Sequence, residues 1–468
     1  MAISIRKAAA INAAGKYLKV ILTVLVNAVL ARILTPYDFG IVAVITVFTT
    51  FFATLSDMGL GPAIIQTKQL SDKDINSLFS YSIYIAFLLS GLFALCAFPI
   101  AAFYKDAVYL RPCFLLTISL FFNAANMVPG GILARDKKFV TIALRTVLVY
   151  VVSAAVAIFL AMRGWRFYAL VVQAILTSVL QFVWNWLSTR PRFVLRPSRE
   201  PLLMVRSYSF YQFAFNVVNY FSRNLDNLLT GKFLGEVNLG NYNKAYNLML
   251  FPVNNLTGVV SPVLHPILSD YRKEPEVIYS RYLRLVRLLF CMGIFVSAFS
   301  YLASDEIIGI LYGQNWAPCA RCFQLLSLAI VPQMINASAG AIFQSIGNTR
   351  LLFTCTCINT AVTVLAILAG IFLGNGVETL SLCVALSYIF HFFCAFYFLI
   401  VKGFRYSLKA FFVALSREFC ILFVMAAAVA CYFAFVPAIN NIALSALAKL
   451  GYLSAIFAPL YLWSRNSR

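Results

Sequence analysis

Charge is what this sequence has least of. Only 11% of its 468 residues are charged, where a soluble globular chain carries about 25%. With 62% hydrophobic residues and a mean hydropathy of +0.86, that shortfall excludes a soluble fold. Acidic residues are scarcest, 16 against 37 Lys and Arg. Histidine occurs twice, as His265 and His391, which excludes a histidine-rich metal centre. No G-x-x-x-x-G-K-[ST] loop is present to cradle nucleotide phosphates, which argues against direct ATP use. The eleven cysteines are scattered, and the close pairs Cys319/Cys322 and Cys355/Cys357 lack a second pair or a histidine cluster at zinc-ligand spacing. They read as small apolar side chains within helices, and no cofactor is expected.

What is there is long apolar runs. A span needs about 20 apolar residues, and fourteen candidates emerge at 13–33, 39–65, 77–103, 112–133, 140–161, 166–187, 206–231, 238–268, 283–303, 319–343, 351–373, 378–400, 417–436 and 443–463. The first is too long for a signal-peptide core and reads as a retained span behind a short basic lead. The longest connection, Ser188–Val205, is too short for a soluble domain. The expectation is an all-α polytopic membrane protein of about 14 transmembrane helices.

The net charge of +21 would suggest nucleic acid in a soluble protein. Here it follows the positive-inside rule, by which Lys and Arg collect in short cytoplasmic loops. One set of loops holds only Arg32, Lys105, Arg111, Arg163, Arg166, Lys232 and Arg321. Four more cations, Arg145, Arg223, Lys244 and Lys449, lie within spans, and the rest fall on the other side. Both termini are therefore expected in the cytoplasm, with no nucleic-acid partner.

The chain also repeats itself. Asn27, Arg32, Leu34, Gly40 and Pro62 return 200 positions later as Asn227, Lys232, Leu234, Gly240 and Pro262. Six spans precede the second copy, and an even number restores direction, so the halves run parallel. Such transporters keep substrate at the interface between halves. The expected layout is a six-helix half over 1–190, a linker over 191–205, a second six-helix half over 206–402 and two extra helices over 403–468, with a central cavity between the halves.

Span 7 carries a polar stripe at helical spacing: Tyr208, Gln212, Asn216, Asn219, Arg223, Asp226 and Thr230. Charged residues inside a membrane usually face a protein interior or water-filled cavity. This face reads as a cavity wall, or else as an internal Arg223–Asp226 pair neutralised against a neighbouring helix. Span 8 opens LGNYNKAYNLMLFP and carries three prolines that imply kinks. Its Lys244 reaches the same cavity or snorkels to the headgroups.

Gly240-x-Tyr242-x-x-Ala245-Tyr246-x-Leu248-x-x-x-Pro252, together with Ala31-Arg-Ile-Leu-Thr-Pro-Tyr-Asp-Phe-Gly40, Asp57-Met-Gly-Leu-Gly-Pro-Ala63 and Gln66, resembles the polysaccharide-exporter branch of the multidrug/oligosaccharidyl-lipid/polysaccharide flippase superfamily. The likeness is strongest over 31–66 and 205–270 and fades after about 350. Where relatives tend to have an aromatic residue in Val-Leu-x-Pro, this chain has His265. The resemblance implies a flippase of the bacterial inner membrane that moves undecaprenyl-pyrophosphate-linked oligosaccharide between leaflets, in contact with membrane lipids and with polysaccharide polymerase machinery. A pyrophosphate needs intramembrane cations, which Arg223, Lys244, Lys16 and Lys19 supply. Sugar hydroxyls need amides and phenols, supplied by Asn216, Asn219, Asn227, Tyr242 and Asn247. Asp226 and Asp57 are candidate ion-coupling carboxylates, Asp57 equally an interfacial cap. A multidrug cation exporter would want several unpaired intramembrane carboxylates, and a membrane polymerase or glycosyltransferase a catalytic set on a large outer loop; neither pattern is found.

Reporter fusions at Arg135 and Arg196 test the orientation. Both should report a cytoplasmic location, and an external location for either overturns the fourteen-span layout.

Overall fold

In the computed structural model the chain is helical throughout the described residues, which are all except 1–4, 58–60, 62–63, 65–69, 201–219, 221–223, 258–270, 272–273, 375, 438 and 467–468. It divides into two compact units, Met1–Gly240 and Asn241–Arg468. Among the described residues eleven helices are long and apolar enough to cross a membrane, and a bent pair raises this to twelve. These account for every expected span except the seventh and eighth, both of which run into residues outside the description.

The first unit is built from α1 (Ile5–Ile33), α2 (Pro36–Asp57), α3 (Asp72–Tyr104), α4 (Leu110–Ala125), α5 (Met127–Arg135), α6 (Phe139–Met162) and α7 (Tyr168–Thr189). Local sequence explains where the helices begin. At the head of α3, Ser71 Oγ caps the Asp74 backbone N–H while the Asp74 carboxylate accepts from the Ser71 N–H at 2.9 Å, a reciprocal capping box. Thr35 and Asp38 do the same for α2, whose first residue Pro36 has no N–H to leave unsatisfied. At 33 residues, α3 is about 50 Å long and outreaches the roughly 30 Å hydrocarbon core. Its polar first turn therefore stands clear of the bilayer. Apolar side chains Ile41, Val44 and Ile45 of α2 meet Phe93, Ala97 and Ile100 of α3 and Cys113, Leu116 and Leu120 of α4 in one core.

Helical residues 224–233 and the first turn of α8 (Glu236–Pro252) complete this unit. A methyl group at Gly40 would fall on the Glu236 carbonyl oxygen, and one at Gly240 would fall on the Pro36 carbonyl oxygen. The contact is reciprocal, and its four residues form two pairs, 36/236 and 40/240, with the same offset as the sequence repeat. Small residues at a crossing let two membrane helices approach backbone to backbone. The repeat is thus a physical contact as well as a pattern.

In the second unit α9 (Pro275–Leu302) is the central post. It is followed by α10 (Ser304–Leu311), α11 (Ala317–Ser327), α12 (Ile330–Ser345), α13 (Thr349–Phe372), α14 (Val377–Phe396), α15 (Leu408–Ala414), α16 (Ser416–Phe435) and α17 (Ile442–Asn466). The α11–α12 pair is one broken span, bent by 56° at Leu328–Ala329. The trailing helices α16 and α17 pack against α9, and an ion pair stands at each end of that seam. Arg287 approaches Glu418 at 3.9 Å and donates to the Ala414 carbonyl at 2.8 Å. Lys449 meets Glu306 at 2.6 Å, where Ser445 also donates to the carboxylate at 2.6 Å. Lys449, one of the four cations within spans, has here found its counter-charge.

Two predictions follow from these contacts. Gly40→Ala and Gly240→Ala should each lower thermal stability by about 1–3 kcal/mol, the usual penalty for overpacking. Gly91→Ala, with open space around it, should stay within about 0.5 kcal/mol; equal melting of all three variants would refute the contact. The second concerns Glu306. Burial opposes its charged form, but hydrogen bonds from Lys449 and Ser445 outweigh that and hold the carboxyl below its ordinary 4.5. Its contribution is therefore full above that value and lost as pH falls below it. Melting curves between neutral and acid pH should show this loss in the native chain and a shallower one in Glu306→Gln. At neutral pH that variant should lose more stability than Glu306→Gln/Lys449→Met, because it leaves a buried charge alone.

Candidate functional site

The conserved-looking opening of α2 is held by its own side chains. Thr35 Oγ1 donates to Asp38 at 2.7 Å, and the buried Asp38 carboxylate meets Arg166 at 3.3 Å. That guanidinium also lies over the Tyr37 ring, 5.5 Å from its centre. Nearby, the Tyr109 hydroxyl donates to Glu236 at 2.7 Å. Thr35, Asp38 and Arg166 thus lock the end of the first unit remote from its basic loops.

Of the polar stripe on span 7, Asn216, Asn219 and Arg223 lie outside the described residues, as does His265. The described part packs within the first unit. The Tyr220 hydroxyl donates to the Val47 carbonyl, and Tyr104 donates to the Leu228 carbonyl at 3.1 Å. Asp226 and Asn227 are buried, and the Asn227 backbone N–H donates to the Asp226 carboxylate at 2.8 Å. One turn on, Thr230 is fully buried with its hydroxyl oxygen lacking a hydrogen-bond partner among the described residues. Asp57 is the last residue of α2.

The start of α8 separates its expected ligands. Tyr242 and Lys244 are buried, whereas Asn247 is exposed and its amide turns back to the Asn243 carbonyl at 2.8 Å. The Lys244 ammonium sits over the Tyr312 ring, 5.3 Å from its centre. The Tyr242 ring stacks on Tyr246, and the Tyr246 hydroxyl meets that of Tyr388 at 2.6 Å. The motif G-x-Y-x-x-A-Y therefore has a packing account: Gly240 for the helix crossing, Tyr242 and Ala245 for the core, Tyr246 for a hydroxyl link to α14. Pro252 ends α8, and a wide-turn segment, Val253–Thr257, follows.

Lys16 is exposed and Lys19 half-buried on α1. Beside α1, the structure adds residues that sequence reasoning left without a role. Arg145 of α6 donates from Nη1 to Asn185 Oδ1 of α7 at 2.7 Å, and Asn185 Nδ2 donates to Asn126 Oδ1 at 2.7 Å. Asn185 is fully buried. The available signal was an arginine within a span, but an asparagine partner forty residues away has no sequence signature.

His391 of α14 hydrogen-bonds through Nε2 with the Asn359 carbonyl at 2.9 Å and Thr363 Oγ1 at 3.0 Å, bridging α14 to α13. Cys319 and Cys322 are buried as free thiols. Among the described residues, no group of three His, Cys, Asp or Glu side chains gathers to hold a metal ion.

With this arrangement in view, the comparisons are informative. Residues 29–321 match the sequence profile of the family described as "Polysaccharide biosynthesis protein". The teichuronic acid biosynthesis protein TuaB of Bacillus subtilis is 24% identical over 65% of this chain and 64% of its own length. The succinoglycan biosynthesis transport protein ExoT of Rhizobium meliloti is 24% identical over 76% of this chain and 72% of its own. Among solved structures, the lipid II flippase MurJ in an inward closed conformation superposes with a TM-score of 0.73 over 97% of this chain and 99% of that one. At 13% identity that likeness is one of fold.

Proposed function

Because the chain belongs to the polysaccharide biosynthesis protein family, we propose that it is a flippase. It moves undecaprenyl-pyrophosphate-linked oligosaccharide across the bacterial inner membrane by alternating access, with both termini in the cytoplasm. The observation that carries this reading is the sign of the charge kept within the spans. Lys16, Lys19, Arg145 and Lys244 are described there, and among the described residues none lies within ion-pair distance of a carboxylate. Cations held in hydrocarbon without counter-charge suit an anionic headgroup.

Two parallel six-helix halves, 1–190 and 206–402, enclose the path, and the pair over 403–468 is additional. Arg223 and Lys244 with Lys16 and Lys19 bind the pyrophosphate; Asn216, Asn219, Asn227, Tyr242 and Asn247 meet sugar hydroxyls. Asp226 offsets Arg223 in the empty site and takes a proton when phosphate arrives, and Asp57 is a second coupling carboxylate. The product is handed to polysaccharide polymerase machinery on the far side.

Deletion followed by leaflet-resolved labelling of lipid-linked oligosaccharide tests the reading. Complete units should accumulate on the inner leaflet; units that reach the outer leaflet unpolymerised would point to an enzyme instead. Within the site, Arg223→Ala should abolish export at unchanged protein level, Arg223→Lys should retain part, and Asp226→Asn should slow turnover more than it weakens binding. Normal export by Arg223→Ala/Asp226→Ala would leave the pair a structural one.

A further inference from the structure

We propose that Arg145, together with Lys16 and Lys19, forms a pyrophosphate-binding site within the first unit. The inference rests on the flippase reading and adds to it a ligand residue, Arg145, and a place where the headgroup is held.

Register brings the three cations together. A methyl group at Gly15 of α1 would meet Ala143 Cβ of α6 at 2.9 Å. Further along, the Tyr150 side chain of α6 hydrogen-bonds Thr23 of α1. The two contacts advance together, so the helices run parallel. At about 1.5 Å per residue, Lys16, Lys19 and Arg145 all lie within about 6 Å of the Gly15–Ala143 level. This level is near the end of the unit that carries Arg135, Lys137 and Lys138.

The geometry of Arg145 leaves one edge for a ligand. Nη1 is committed to Asn185 at 2.7 Å, and Nη2 makes a longer contact with Thr146 Oγ1 at 3.3 Å. Nε is buried and has no hydrogen-bond partner among the described residues. Asn185 in turn is fixed, because its amide is spent on Asn126. The Nε–Nη2 edge is the one that binds oxyanions in bidentate fashion. An amide partner orients a guanidinium but does not neutralise it. In the second unit, by contrast, Arg287 and Lys449 each meet a glutamate.

A phospholipid headgroup offers the same phosphate chemistry, but depth disfavours it. Arg145 lies about 9 Å along α6 from its first residue, Phe139. Its bond to Asn185 opposes the snorkelling that would bring it to the headgroup layer. A pyrophosphate entering the bundle meets it where it stands.

The test uses the full chain in phosphatidylcholine nanodiscs, titrated with undecaprenyl pyrophosphate and, separately, with undecaprenol. Binding is read from tryptophan fluorescence, since Trp184 and Trp186 flank Asn185. Arg145→Gln should weaken undecaprenyl pyrophosphate about 10- to 100-fold, as expected for loss of charge-assisted hydrogen bonds, and leave undecaprenol unchanged. Arg145→Lys should recover part of the affinity. Lys19→Gln, at a half-exposed position that spares the fold, should weaken binding several-fold. Equal affinity in native chain and Arg145→Gln overturns the site while leaving the flippase reading intact. Displacement of the ligand by phosphatidylglycerol at matching concentration also overturns it, assigning the cations to lipid headgroups. A native chain that binds no undecaprenyl pyrophosphate overturns the flippase reading itself, and this site with it.

Discussion

A charged group in hydrocarbon must be paired, hydrogen-bonded or given a ligand, and this rule sorts the cations of the protein. An unpaired charge at the centre of a span costs about 2.5–3.5 kcal/mol on insertion scales, so each has a solution. Lys449 is neutralised by Glu306, with Ser445 completing the carboxylate's shell. Lys244 is packed over the Tyr312 ring, a contact that favours a desolvated cation. Arg145 is oriented by an asparagine and keeps its charge. The first solution belongs to architecture: Glu306–Lys449 and Arg287–Glu418 join the trailing helices α16 and α17 to α9. The last solution leaves a cation available for chemistry.

A second constraint is steric and comes from the crossing of α2 with the first turn of α8. Gly40 against Glu236 and Gly240 against Pro36 make a self-complementary contact, the arrangement that a two-fold operator produces between equivalent surfaces. Thr35, Asp38 and Arg166 fasten the α2 side of it, and Tyr109 holds Glu236. The motifs at 31–40 and 240–252 thereby share one physical explanation, since each supplies the glycine that the other's backbone requires.

Much of the fold was legible in the sequence, because hydrophobic length alone marks a membrane span. The break at Leu328–Ala329 was not, since the apolar run passes through the bend without interruption. Among candidate ligands, Lys16 and Lys19 were legible as cations in an apolar run, but their proximity to Arg145 depends on the parallel register of α1 and α6. Asn247 illustrates the opposite difficulty. Helical spacing put it on a polar face with Asn243, and the structure spends its amide on that neighbour at the surface. Local hydrogen bonding of this kind competes with ligand binding and leaves no mark on periodicity.

The balance of intramembrane charge also separates a flippase from an exporter of organic cations. An exporter needs carboxylates that meet its cargo inside the bundle. Here Glu306 and Glu418 are engaged by Lys449 and Arg287, and Asp38 is engaged by Thr35 and Arg166. Asp226 is drawn toward the Asn227 backbone. The acidic groups are thus consumed in holding helices together, whereas Arg145 is held by neutral amides that leave its charge undiminished. A bundle that pairs its carboxylates and reserves its guanidinium presents positive potential to whatever enters. The ligand this favours is an anion large enough to span two helices, as a pyrophosphate is.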